Sequence, residues 1–126
     1  MTLRKSLSIA SWNVNKLISK CCNKAQDDIF LSSINKNDII GLLETKCDFS
    51  NVNFENYIVH HIKRLKSRSQ KQDYGGIAIL IHKSIKRGVK YLPNTCSEFQ
   101  WLILDKSYFG YEKNVYVCFC YLPPVN

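Results

Sequence analysis

The sequence predicts an α/β fold of the α+β kind, a mixed β-sheet with a flanking helix. Three observations predict it. Residues 7–44 read as strand, helix, strand; four further strand-like runs follow; and no repeat, low-complexity tract or Pro/Gly/Ser linker divides the chain. At 126 residues the chain, 1–126, is one domain's worth or less, long enough to bury a core and too short for two domains.

The first strand is Leu7 to Trp12, which emerges on Asn13-Val14-Asn15. A carboxamide just past a strand end caps a helix, makes a turn or holds a ligand. The stretch "NKAQDDIFLSSINKND" then carries Ala25, Ile29, Phe30 and Ile34 at helical spacing and ends in a polar stop. "DIIGLLE", residues 38–44, is a nearly continuous apolar run, the pattern of a strand buried on both faces. A unit of this length makes a right-handed parallel crossover, which brings both strand ends to one sheet edge. Asn13 and Glu44 are therefore expected to be neighbours.

"NYIVHHI", "GGIAILIHK", "WLILDK" and "NVYVCFCYL" predict a mostly antiparallel continuation. Gly75-Gly76 opens the second of these runs and reads as structural, because the spacing of a phosphate loop is missing. "YLPPVN" leaves a strong strand for Pro123-Pro124, which ends the ladder and starts a loop. The expectation is a domain truncated before its C-terminal half.

Eighteen Lys and Arg against ten Asp and Glu leave a net charge of +8, which favours a polyanionic partner. The densest basic run, "HHIKRLKSRSQKQ", contains Lys63, Arg64, Lys66 and Arg68 and no acid. It either tracks phosphates or forms a solvated loop, with Trp101 or Tyr74 as exposed aromatics for nucleic acid. The cysteines at 21, 22, 47, 96, 118 and 120 include no C-x-x-C pair, which is poor zinc spacing. They read as reduced structural thiols, Cys118 and Cys120 sharing one strand face as small buried hydrophobes. No run of 18 apolar residues and no signal-peptide pattern occurs, so an intracellular chain off the membrane is expected.

Glu44 is the residue most suggestive of chemistry. A carboxylate ending an apolar strand is costly to keep half-buried unless a cation or donor meets it. Mg²⁺, held by one or two carboxylates plus waters and substrate phosphate, suits such a site; pairing with Lys46 or capping of a turn would also satisfy it.

Taken in order, "IASWNVNKL", "DIIGLLETKCD", "GGIAILIHK", "WLIL" and "VYVCFCYLPP" resemble the endonuclease/exonuclease/phosphatase superfamily over nearly the whole chain. Within it they look most like the endonuclease domain that opens non-LTR retrotransposon polyproteins, a relative of apurinic/apyrimidinic endonucleases. The resemblance implies half of a four-layer α/β/β/α sandwich of the DNase I-like type, with one apolar sheet face left uncovered. It implies a Mg²⁺- or Mn²⁺-dependent phosphodiesterase that nicks DNA, nuclear if that DNA is chromosomal. Asn13 matches the family's pocket asparagine, Glu44 its metal-binding glutamate and Tyr121 the tyrosine beside the scissile phosphate. Asn15 and Lys46, with the basic run, are the expected nucleic-acid contacts. The family's Asp-x-Asn and Ser-Asp-His motifs do not occur, and His60, His61 and His82 do not replace them. The implied state is an inactive fragment whose partners are DNA, the C-terminal half-domain or a reverse transcriptase. An inert nucleic-acid-binding remnant and a phosphoester phosphatase are the alternatives.

Overall fold

The computed structural model describes residues 6–19, 23–47, 49, 52–62, 76–93 and 96–122. Strands β1 (Ile9–Asn13), β2 (Ile39–Leu43), β3 (Tyr57–Ile62) and β4 (Ile77–His82) form one sheet in the order β1-β2-β4-β3. Strands β5 (Val89–Tyr91), β6 (Phe99–Leu104) and β7 (Val115–Cys120) form a second, in the order β5-β6-β7. Two short helices, α1 (Asp28–Ile34) and α2 (Lys106–Phe109), and 3-10 segments at Lys24–Gln26 and Lys83–Gly88 connect them. The mixed α/β class and the strand-helix-strand opening are as the sequence predicts. β1 pairs parallel to β2, with Asn13 opposite Leu43, and every other pairing is antiparallel.

β2 shows why its sequence is apolar throughout. Ile40 and Leu42 join Ala78, Leu80 and Tyr57 in a core closed by Phe30 and Ile34 of α1. Ile39, on the other face, joins Ile77, Ile79 and Ile81 against Leu102, Leu104 and Phe119 of the second sheet. With neither face wet, the pleat's alternation between faces leaves no polar position. Each such side chain contributes about 1.5–3 kcal/mol of burial.

The single mixed sheet expected from the sequence is thus two facing sheets. β6 and β7 pair with each other and with β5, not with β4. Their inward residues Gln100, Leu102, Leu104 and Phe119 cover the face of the first sheet that the sequence left bare. The outer face of the second sheet carries Trp101, 41% exposed, and Tyr116, 57% exposed.

Four finer expectations are corrected. The helix is shorter than its periodic run, because Asp27 accepts from Phe30 N at 2.8 Å and so caps a helix that begins at Asp28. Its buried stripe is Phe30 and Ile34, four residues apart, which turns Ile29 outward at 80% exposure. Cys120 shares the outer face with Cys118 but is exposed. β5 and the 3-10 segment before it stand where no element was expected. Lys63, Arg64, Lys66, Arg68, Tyr74, Gly75, Cys21, Cys22, Pro123 and Pro124 lie outside the described residues. Among the described residues no helix is long and apolar enough to cross a membrane.

Candidate active site at the open end of the two sheets

The parallel pairing of β1 and β2 continues past the strand ends. Val14 N donates to Leu43 O (2.9 Å), Lys16 N to Glu44 O (2.8 Å) and Leu17 N to Thr45 O (2.9 Å). Two loops are thereby held side by side. Their backbones are left-handed at Asn15 (φ 44°), Lys16 (φ 76°), Glu44 (φ 61°) and Lys46 (φ 51°). Outside glycine such angles cost of order 1–3 kcal/mol each and persist only where the surroundings enforce them.

The enforcing contacts are visible. Leu17 and Thr45 are fully buried. The Lys24 ammonium donates to the carbonyls of Val14 and Lys16, the latter at 3.1 Å. Thr45 N donates to Gly76 O at 3.2 Å, and Gly76 itself sits at φ +90°. A Cβ on Gly76 would lie 2.5 Å from Thr45 Oγ1, so both the angle and the close approach require glycine.

These loops gather a polar cluster around Glu44. Tyr121 OH donates to Glu44 Oε1 at 2.9 Å, and Lys46 Nζ lies 3.2 Å from the same oxygen. Lys46 also donates to Asn15 Oδ1 at 3.3 Å. Asn13 Oδ1 accepts from Asn15 N at 3.0 Å. The Asn13 side chain also acts on the Glu44 carboxyl and helps to lower it. Tyr121 reaches Glu44 from the second sheet, because Tyr121 N donates to Glu98 O at 2.8 Å and prolongs the β6–β7 pairing beyond Cys120. The cluster therefore ties the two sheets together at one end.

Burial by itself would raise the Glu44 carboxyl. Hydrogen bonds from Tyr121, Lys46 and Asn13, with the charge of Lys46, outweigh it and hold the carboxyl below its ordinary value. Glu44 is ionised at neutral pH, and its charge is met by the Lys46 ammonium.

Asn13, Asn15, Glu44, Lys46 and Tyr121, scattered along the sequence, are thus brought together. The histidines have other work. His60 stacks on Tyr91 with centroids 4.1 Å apart, His61 packs against Phe49 at 4.2 Å, and His82 Nδ1 faces Ser84 Oγ at 2.8 Å. Lys24 is the site-building residue that sequence reading misses. No spacing rule links a lysine in a 3-10 turn to carbonyls eight and ten residues earlier.

The donor at the centre of the cluster is the Glu44 carboxylate, and oxygen ligation of this kind suits a hard cation that keeps water and phosphate ligands and does not suit a soft one. A cation supplied by the chain itself, the Lys46 ammonium, already sits at Glu44 Oε1. Among the described residues no group of three or more His, Cys, Asp or Glu is close enough to hold a metal ion, so the fit is to a single-carboxylate site.

The chain matches no curated protein. Residues 10–122 match a family model described as the endonuclease/exonuclease/phosphatase family, a span that takes in Asn13, Glu44 and Tyr121.

Proposed function

Because the chain belongs to the endonuclease/exonuclease/phosphatase family, we propose that it is the N-terminal part of a Mg²⁺- or Mn²⁺-dependent DNA endonuclease domain, of the kind found in non-LTR retrotransposons. The family is one of nuclease- and phosphatase-type hydrolases whose members are typically divalent-metal dependent. The observation that carries the proposal is the meeting of Tyr121, Lys46 and Asn13 on the single carboxylate Glu44, at one end of a two-sheet sandwich.

Glu44 is the residue that would hold the metal. Held by Glu44, a divalent ion would supply Lewis-acid polarisation of a phosphodiester oxygen and stabilisation of the leaving oxygen. The chain's own residues do the positioning. Tyr121 donates to Glu44 and brings a phenol to the site, and the Asn13 amide, whose oxygen accepts from Asn15 N, helps keep the carboxylate ionised. Lys46 and Asn15 offer a cation and an amide to the phosphate backbone.

The sequence has no Asp-x-Asn or Ser-Asp-His motif to orient and deprotonate water, a loss of typically 10²–10⁴-fold in acid–base catalysis. We infer that this chain is inactive alone, and that a C-terminal half-domain carrying those motifs packs on the second sheet, where Trp101 and Tyr116 are exposed. DNA, and the reverse transcriptase of the same polyprotein, are its further partners.

Nicking of supercoiled plasmid in Mg²⁺ tests this. The 126-residue chain is expected to leave the plasmid intact, and the chain joined to a segment with both motifs to nick it, with Glu44→Ala and EDTA each abolishing the activity. Release of inorganic phosphate from a soluble phosphoester without nicking would favour a phosphatase instead. The net charge of +8 favours DNA binding even without catalysis. That binding should weaken linearly in log–log form with salt, and salt-insensitive affinity would argue against it.

A further inference from the structure

The Glu44–Lys46 contact lies inside the site rather than on the surface. The two side chains are only 14% and 19% exposed, and left-handed backbone at both residues, with buried Thr45 between them, folds them together. Oε1 receives both the Tyr121 hydroxyl and the Lys46 ammonium. The ammonium is anchored on its far side by Asn15 Oδ1 at 3.3 Å, so it spans the loops that follow β1 and β2. A hard divalent ion bound through Oε1 would need the same lone pairs and would repel the ammonium at contact distance. The two cations cannot share that oxygen.

We propose that Lys46 is a displaceable counter-cation. In the metal-free protein it neutralises Glu44 and keeps the carboxylate in its binding position, and a divalent ion that binds through Oε1 must expel it. Two consequences follow. Metal affinity is lowered by the work of separating the pair. The displaced ammonium, still beside Asn15, no longer neutralises Glu44 and can turn to a phosphate oxygen, so metal and phosphodiester bind with positive and reciprocal coupling through Lys46. This rests on the reading of Glu44 as the metal's carboxylate.

The test measures Mn²⁺ uptake by the whole chain through the electron paramagnetic resonance signal of the free ion. Wild type, Lys46→Met and Glu44→Gln are compared, with no activity involved. Lys46→Met is expected to bind Mn²⁺ about fivefold or more tightly than wild type, as the removal of a partly buried competing ion pair implies, and Glu44→Gln to lose binding. A second measurement needs no variant at Lys46. With isotope-labelled dimethylated lysines, the Lys46 resonance should move when Mg²⁺ is added to wild type and stay still in Glu44→Gln. If Lys46→Met gains no affinity while Glu44→Gln still loses it, the displacement is wrong and the metal reading stands. If Glu44→Gln binds as wild type does, or no protein takes up Mn²⁺ at millimolar concentration, the Glu44 reading fails and the displacement fails with it.

Discussion

The ring of Phe119 in β7 lies directly over Gly41 in β2. A Cβ built on Gly41 would come within 2.2 Å of Phe119 Cδ1. The missing side chain on one sheet is the space that the aromatic ring of the other fills, and the sheets meet closely because of it.

Gly41→Val should therefore destabilise the protein by about 1–3 kcal/mol, the usual cost of overpacking. Its urea midpoint should fall, and combining it with Phe119→Ala should cost less than the sum of the two single changes. Strict additivity would show that the two residues are not in contact.

Gly76→Ala combines a left-handed backbone angle with a contact on Thr45, so it should cost about 1–3 kcal/mol and also shift the Glu44 loop. Amide spectra would show the largest changes at Thr45 and Lys46. A loss of stability with those amides unmoved would leave Gly76 a purely local turn residue.

Lys24→Met keeps the stem of the side chain and removes the donor to the Val14 and Lys16 carbonyls. Hydrogen bonds from a charged group contribute roughly 1.5–3 kcal/mol, and the left-handed loop depends on these. Hydrogen exchange in residues 14–17 should quicken well before the core strands are affected. Uniform quickening would mean that Lys24 supports the whole fold rather than this loop.

The Glu44 carboxyl titrates below its ordinary value of 4.5, its burial being outweighed by Tyr121, Lys46 and Asn13. A carboxyl lowered in the folded state adds stability above its unfolded pKa and loses it as pH falls through the folded one. Metal-free wild type should lose stability below pH 4.5 more steeply than Glu44→Gln. Parallel curves would show that the carboxyl is unperturbed.

Tyr121→Phe removes one of the donors that hold this carboxyl down, so the Glu44 titration should move upward while the sheet pairing through Tyr121 N is kept. Carbon-detected titration of the labelled carboxyl would report it. An unchanged curve would place the phenol elsewhere in solution.

Which parts of this could be read from the sequence follows from what each part depends on. The parallel crossover and the nearness of Asn13 to Glu44 rest on local periodicity and on a nearly invariant handedness, and both are visible in the residues themselves. The division into two sheets depends on which strand pairs with which, and Ile79 and Leu102 carry no mark of that. β5 has only Val89, Lys90 and Tyr91, too few to show an alternation. Ile29 fitted the helical stripe until the Asp27 cap set the helix start and rotated it outward. The left-handed positions were hidden most completely. Lys16, Glu44 and Lys46 are not residues that favour such angles, and only the packing of Leu17, Thr45 and Lys24 imposes them.

Glu44 and Tyr121, joined by one hydrogen bond, stand 77 residues apart in the chain. During synthesis the carboxylate leaves the ribosome long before the phenol that will hold it. Until β7 has been made and docked, Glu44 lacks that donor, whatever the state of the first sheet. Completion of the Glu44 cluster is therefore a late event in folding, and a nascent chain stalled ahead of Tyr121 would hold a formed crossover with that cluster unfinished.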